Sequence, residues 1–334
     1  MLKKIKFEIC KKKEIKKLKK FIHHEWRKDH ILSKNNNVIE WFYGNKKLIN
    51  FVLAKYQKKI IGILGFIPNF QFDYKLKKNP IIWLALWKVK KDTSYNGVGL
   101  GLLNFLQKKF KGYAIACNGI NNEVEKIYKL LNYKSFYLNH YYLINPSLAQ
   151  KIIKKKIKIK KYNEIKSTYK LENLKKREIE KFKYSIKHQN KKSSKYFINR
   201  YLKCPFFKYF IFGIFKKNKL KGIFSTKIQN YKSSKILRII DYYGDTNCLR
   251  HLKVPIQKKM IELDIEYTDF YNFGINEILI KKSGFIRNNF NKKIVIPNYF
   301  YPFKNKNIKI RSVYKNTSQR LFFYKGDGDQ DMPH

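Results

Sequence analysis

Residues 97–105 read Gly97-Val98-Gly99-Leu100-Gly101-Leu102-Leu103-Asn104-Phe105, and they follow the apolar stretch Ile81-Ile82-Trp83-Leu84-Ala85-Leu86-Trp87, which reads as a strand. From the glycines onward, Leu102, Leu103, Phe105, Leu106 and Phe110 recur at helical spacing, so the run opens an amphipathic helix. Strand, glycine turn and helix start in that order make an anion site. Glycine lets the backbone come close to a ligand, and the free N–H groups of a first helical turn point at negative charge. The pattern predicts a phosphate-bearing ligand here; the alternative is a glycine turn used only for packing.

The spacing narrows the ligand. A Walker loop needs Gly-Lys-Ser/Thr after four intervening residues, and no such lysine follows Gly101. A dinucleotide fingerprint needs G-x-G-x-x-G after the first strand of a βαβ unit, whereas these glycines alternate and several strand candidates precede them. The segment Asn96-Gly97-Val98-Gly99-Leu100-Gly101 instead resembles the pyrophosphate loop R/Q-x-x-G-x-G/A of the GNAT acetyltransferase superfamily. Asn96 stands for the usual arginine or glutamine, which removes a charged contact and leaves the backbone cradle.

A second segment carries the same resemblance. Asn121-Asn122-Glu123-Val124-Glu125-Lys126-Ile127-Tyr128-Lys129-Leu130-Leu131-Asn132-Tyr133 is similar to the GNAT pattern N-x-x-A-x-x-L-Y-E-K-L-G-F. Asn132 replaces glycine at a helix C-terminus, where asparagine also accepts the left-handed conformation. Val124, Ile127, Tyr128 and Leu131 share one helix stripe, so helix pattern alone makes Tyr128 an ordinary core tyrosine. The resemblance implies acetyl-CoA as co-substrate. Its pyrophosphate would be held by the N–H groups of Val98, Gly99, Leu100, Gly101 and Leu102, and Asn121 would reach the pantetheine. A backbone N–H near Trp87–Val89 would polarise the thioester carbonyl. Tyr128 would protonate the departing thiolate, a near-balanced transfer for a phenol of ordinary pKa. For the base that deprotonates the amine, Asp92, Glu40 and His140 are candidates; His140 has the best intrinsic pKa and an equally good reading as a hydrogen-bonded strand residue.

The formal charge of +52 resembles a nucleic-acid signature, yet only eight of the 75 basic residues are arginine, the side chain favoured for reading phosphate by geometry. The lysines run the whole length beside abundant Ile, Asn, Tyr and Phe. Codon bias in an A/T-rich coding sequence and selection for an anionic partner both account for that. Cys10, Cys117, Cys204 and Cys248 are far apart and the seven histidines form no H-x-x-x-H pattern, so neither a metal site nor a disulfide framework is expected. Asp327-Gly328-Asp329-Gln330-Asp331 opens like a calcium loop but has Met332 at the glycine position; a solvated acidic tail is expected first, the alternative being that these acids fold back toward a cationic amine substrate or a lysine-rich face. No apolar run reaches the length of a signal peptide or membrane span, so a cytoplasmic setting is expected.

The expected fold class is α+β: two GNAT-like domains, each a mixed, mostly antiparallel sheet flanked by helices. Strands over 4–10, 51–56, 60–66, 81–89, 113–117 and 135–144, with helices over 15–26, 38–43 and 121–131, make residues 1–147 the CoA-binding domain. A basic helical linker over 148–195 leads to a degenerate GNAT-like domain over 196–334, ending in the acidic tail. There the glycine loop is replaced by Tyr243-Gly244-Asp245-Thr246-Asn247-Cys248. Tandem chains with one degenerate half occur among relatives of mycothiol synthase and the Fem peptidoglycan aminoacyltransferases. The resemblance implies an N-acetyltransferase acting on a small amine, with an amino sugar, nucleotide-linked and destined for surface polysaccharide, as the class to test first. The competing expectation is a Fem-like aminoacyltransferase drawing on charged tRNA; a third is a binding protein that keeps the fold without turnover.

Overall fold

The protein is described from a computed structural model, which covers residues 5–45, 47–92, 95–153, 157, 167–184, 192–290, 294–300, 303–317 and 321–333. Lys4, at the start of the first expected strand, and residues 154–156, 158–166 and 185–191 of the expected basic linker lie outside these residues.

In chain order, β1 (Lys6–Lys11) leads to α1 (Ile15–Phe21), α2 (Ile31–Lys34) and α3 (Asn36–Tyr43). The expected helix over 15–26 is α-helical only to Phe21 and continues as a π-helical turn, Ile22–Trp26. Asn35 starts α3, its side-chain oxygen accepting from the N–H groups of Asn37 and Val38. β2 (Leu48–Tyr56) and β3 (Lys59–Pro68) join through Gln57 and Lys58, both at positive φ (47° and 65°), the two-residue turn whose twist suits a hairpin. β4 (Ile81–Val89) pairs antiparallel with β3, and α4 (Val98–Lys109) crosses over to β5 (Ala114–Asn118), which lies parallel to β4. α5 (Asn122–Leu130) and β6 (Lys134–Tyr137) follow.

Beyond these come β7 (Asn139–Ile144), β8 (Tyr169–Asn173), α6 (Lys176–Lys181), α7 (Ser194–Phe197), β9 (Tyr209–Lys216), β10 (Lys219–Tyr231) and β11 (Ser234–Gly244). They are succeeded by α8 (Lys253–Glu262), β12 (Ile265–Phe273), α9 (Glu277–Lys282) and β13 (Ile286–Arg287). Four short strands end the order: β14 (Tyr299–Phe300), β15 (Phe303–Lys304), β16 (Arg311–Lys315) and β17 (Phe323–Tyr324).

Two sheets result. One has the order β1-β2-β3-β4-β5-β16-β6; the other runs β13-β7-β12-β11-β10-β9-β8, with β17 added to β12. Both are mostly antiparallel, with β4–β5 and β11–β12 as parallel pairs, and helices flank them. Under α4, Leu102, Leu103 and Leu106 pack with Val52, Leu64, Ile82 and Ile115, all buried; each such side chain contributes about 1.5–3 kcal/mol.

Contacts divide the chain into one compact unit of 1–135, 312–317 and 328–334, and a second of 136–311 and 318–327. That division differs from the boundaries expected at 147 and 195. The strand expected over 135–144 breaks at Leu138, and its second part, β7, pairs with β12 and β13 of the second unit. In the first sheet, β5 pairs instead with β16, from near the C-terminus, at Ser312 to Lys315. Apolar alternation marks a strand but does not name its partner.

Candidate functional site

β4 and β5 run side by side only from Ile81/Ala114 to Leu84/Cys117. Between Leu64 and Phe66, β3 carries one residue, Gly65, opposite two on β4, Ala85 and Leu86. This is a β-bulge, which bends the bulged strand and re-aims its backbone. The pairing with β5 ends at that point, so β4 has left its parallel neighbour from Ala85 onward, ahead of the Trp87–Val89 stretch expected from sequence.

The glycine run sits where β4 hands over to α4. Gly97 is the N-cap of α4 at φ 79°, the left-handed region that glycine adopts without strain. A Cβ there would meet nothing within 4 Å. Asn96, Gly97 and Leu100 are exposed, Gly99 is half-buried, and Val98 and Leu102 are buried. Of the five amides expected to face a ligand, Gly101 N–H is committed to the Gly97 carbonyl at 3.0 Å, and that of Leu102 falls within the regular helical ladder. Val98, Gly99 and Leu100 are the N1 to N3 positions, whose N–H groups have no partner inside the helix. Gly101 answers a different need: a Cβ there would run into the Phe7 ring of β1. Gly99 faces the Trp87 indole, which a Cβ would meet at an ordinary 3.5 Å.

Tyr128 is buried on α5, with its ring centroid 5.7 Å from Trp87 and 4.8 Å from Tyr133. Asn132 takes φ 60°, and Tyr133 N–H reaches back to the Tyr128 carbonyl at 2.9 Å, closing the helix as its sequence predicts. Burial, then the neighbouring Cys117 thiol and Tyr133, raise the Tyr128 phenol well above its ordinary pKa. Cys117, on β5, is buried too; its thiol is pushed up by desolvation and by the charge of Asp329, and donates to the Leu84 carbonyl at 3.3 Å. Asn121 is the N-cap of α5, and its side-chain oxygen accepts from Val124 N–H at 2.8 Å, so that oxygen caps a helix.

His140 does not join this group. It lies on β7 in the second unit, fully buried, stacked on Tyr271 at 4.0 Å between ring centroids. Asn288 donates to its Nδ1 at 3.1 Å, and its Nε2 stands 3.6 Å from Asp269. Burial lowers its pKa against the pull of Asp269, so it stays a neutral core ring. The expectation of a catalytic base fails because a ring sealed on all sides has no path for an incoming amine. Glu40 is exposed and 3.9 Å from Lys12, and Asp92 lies exposed after β4.

The C-terminus is not the solvated tail expected first; it folds back, as the alternative had it. Asp327 and Asp331 are buried, not solvated, and Asp329 and Gln330 are half-buried. Residues 328–333 belong to the first unit. Gly328, at φ 66°, lies over Trp83 of β4, and Gln330 donates to the Asn118 carbonyl at 3.3 Å. A Cβ at Gly119 would strike the Gln330 amide. The tail therefore lines the end of β5 beside Cys117. Only the oddity of three acids in so basic a chain pointed that way. Among the described residues, no group of three or more His, Cys, Asp or Glu side chains is placed to hold a metal ion. No helix among them is long and apolar enough to cross a membrane.

The chain as a whole has counterparts of the same fold among solved structures. A GCN5-related N-acetyltransferase from Anabaena variabilis aligns over 93% of this chain and 72% of its own, with TM-score 0.56 and 10% identity. The fold is that of the GCN5-related N-acetyltransferases. A probable N-acyltransferase from Enterococcus faecalis (92% of this chain, 72% of that one, TM-score 0.55, 9% identity) shares this GNAT fold. So does a GCN5-related N-acetyltransferase from Kribbella flavida (94% and 71%, TM-score 0.53, 9% identity). No protein-family model matches the sequence, and no curated protein matches it.

Proposed function

We propose that the chain is an acyl-CoA-dependent N-acyltransferase that moves an acetyl group to a small amine, with an amino sugar as the acceptor class to test first. The observation that carries this reading is the first turn of α4, with Gly97 and Leu100 exposed, together with a β4 that parts from β5 after Leu84. The N–H groups of Val98, Gly99 and Leu100 hold the diphosphate of coenzyme A, aided by the positive end of the helix. The backbone of β4 from Ala85 onward receives the pantetheine arm and orients the thioester carbonyl. The lysine surplus draws the polyanion from solution.

In the transfer, the neutral amine attacks the thioester carbon, a C–N bond forms, the C–S bond breaks, and the proton that the attacking nitrogen gives up ends on the thiolate. Burial makes Tyr128 a weaker acid than a free phenol, so full proton transfer to a thiolate of pKa about 8.5 is uphill. Tyr128 acts instead as a fixed hydrogen-bond donor to the developing thiolate, held neutral at every ordinary pH. With His140 sealed away, this reading assigns the amine proton to Asp329, the half-buried carboxylate in the tail that packs on Trp83 of β4 and the Asn118 end of β5.

Calorimetric titration with acetyl-CoA, followed by thiol release with a panel of amines and amino sugars, tests the reading. Saturable binding and amine-dependent release of one thiol per acyl group are expected. A chain that fails to saturate with acetyl-CoA is not this enzyme.

A further inference from the structure

In the second unit the same ladders recur: β9, β10 and β11 are antiparallel, β11 and β12 are parallel, and their pairing ends at Ile239/Phe270. The next residue of β11, Ile240, has no partner on β10, because Ser225 pairs with Asp241 and Thr226 with Ile239. So β11 has a bulge immediately after it parts from β12, as β4 has after Leu84. In the first unit that parting is the proposed seat of a pantetheine arm. In the second it is filled. β17 pairs with β12 at Asn272 and Phe273, just past the end of the parallel ladder, and Gly326 N–H donates to the bulged Ile240 carbonyl at 2.8 Å.

We propose that residues 321–327 are an internal surrogate for the acyl-carrier arm, permanently seated in the second unit's cofactor cleft, so that each chain binds a single coenzyme A. The proposal rests on the reading of the first unit's cleft given above. Three features suit the segment to that role. Gly326 must be glycine, since a Cβ would collide with the Tyr201 hydroxyl and press on Ile240 at 2.9 Å. Phe323 and Tyr324 are buried, so the strand supplies the apolar filling a cofactor arm would bring. A buried latch holds its end: Lys192 Nζ bridges Asp327, at 2.8 Å, and Asp241 of β11, while Asp327 also accepts from Tyr324 N–H at 2.8 Å. Tyr201 donates to the other oxygen of Asp241 at 2.6 Å, so the latch is built into the core of the unit. The helix start after β11 is closed as well. Where the first unit offers an uncapped turn, Asp245 accepts from Asn247 N–H at 2.9 Å and sets a carboxylate where a diphosphate would need to lie.

Hydrogen exchange on the full chain tests this without requiring cofactor binding. The amides of residues 323–326 should be protected in the ligand-free protein and remain so at saturating coenzyme A. Calorimetry should then give one coenzyme A per chain. Asp327→Asn should speed exchange of this segment by about tenfold while leaving β4 and β5 unchanged. Open exchange in the ligand-free native chain, loss of protection on adding coenzyme A, a stoichiometry of two, or no change with Asp327→Asn would each overturn the proposal. Should coenzyme A fail to bind at all, the functional reading of the first unit falls, and the ligand-free exchange pattern still decides whether the segment is seated.

Discussion

Tyr128 came with a motif in the sequence and His140 only with a suitable intrinsic pKa, and their surroundings separate them further. Tyr128 sits in a helix whose C-terminal end at Asn132 was legible and whose apolar stripe followed from spacing, whereas the N-cap role of Asn121 shows only in the structure. His140 sits in a strand whose partner was not legible, and the partner decided its fate: β12 carries both Tyr271, which stacks on it, and Asp269. Tyr128→Phe should lower turnover by about 100- to 1000-fold, the usual loss for one donor to a developing anion, with acetyl-CoA affinity unchanged by calorimetry. Because burial raises the phenol's pKa, the wild-type rate should show no alkaline decline from this residue below about pH 10. His140 titrates in the other direction. Its folded pKa is depressed, so the unfolded chain binds the proton more readily, and stability should fall as pH drops through about 6.5. Chemical denaturation at pH 7.5 and 5.5 checks this, and His140→Gln should flatten that part of the profile.

At the scale of elements, the glycine turn resolves into three glycines with three different jobs, and only their backbone surroundings show it. Gly97 supplies a left-handed N-cap, so Gly97→Ala should cost about 1–2 kcal/mol of backbone strain and weaken coenzyme A binding by displacing the first turn. Gly101 exists for close packing of α4 on β1. Gly101→Ala should lower the melting temperature through about 1–3 kcal/mol of overpacking at Phe7 while leaving affinity in the surviving folded fraction close to native. Gly99→Ala has room against Trp87 and should fold normally, so a loss of affinity there reports ligand approach to the backbone. Thermal melts paired with calorimetry on the three variants separate these roles; equal affinity losses with no stability differences would contradict the assignment. Existence and bounds of most strands were readable, with 81–89 matching to the residue. The bulge at Ala85–Leu86 was not, because an extra residue leaves no mark in an uninterrupted apolar run.

The whole molecule departs most from its sequence reading in how strands are distributed. Read linearly, residues 1–147 contain every element of one domain, and the reading missed that β7 completes the second sheet while β16 completes the first. Local pattern encodes faces and turns; pairing between residues nearly 200 positions apart depends on which edges are open when the chain closes. Such long-range pairing is also slow, since the loop-closure entropy must be met before the contacts form. A fragment ending at 147 would carry β7 without β12 and leave the edge of β5 exposed from Ile115 to Asn118, where Lys315 to Ser312 should pair. Unpaired edges of apolar strands seed association. The 1–147 fragment should therefore aggregate or lack a cooperative thermal transition, even though it includes the whole glycine turn and Tyr128. Adding a peptide of residues 306–317, which restores β16, should recover part of the transition, and a peptide with proline at Val313 and Lys315 should not. A 1–147 fragment that melts cooperatively as a monomer would show that the first sheet is complete without its C-terminal strand.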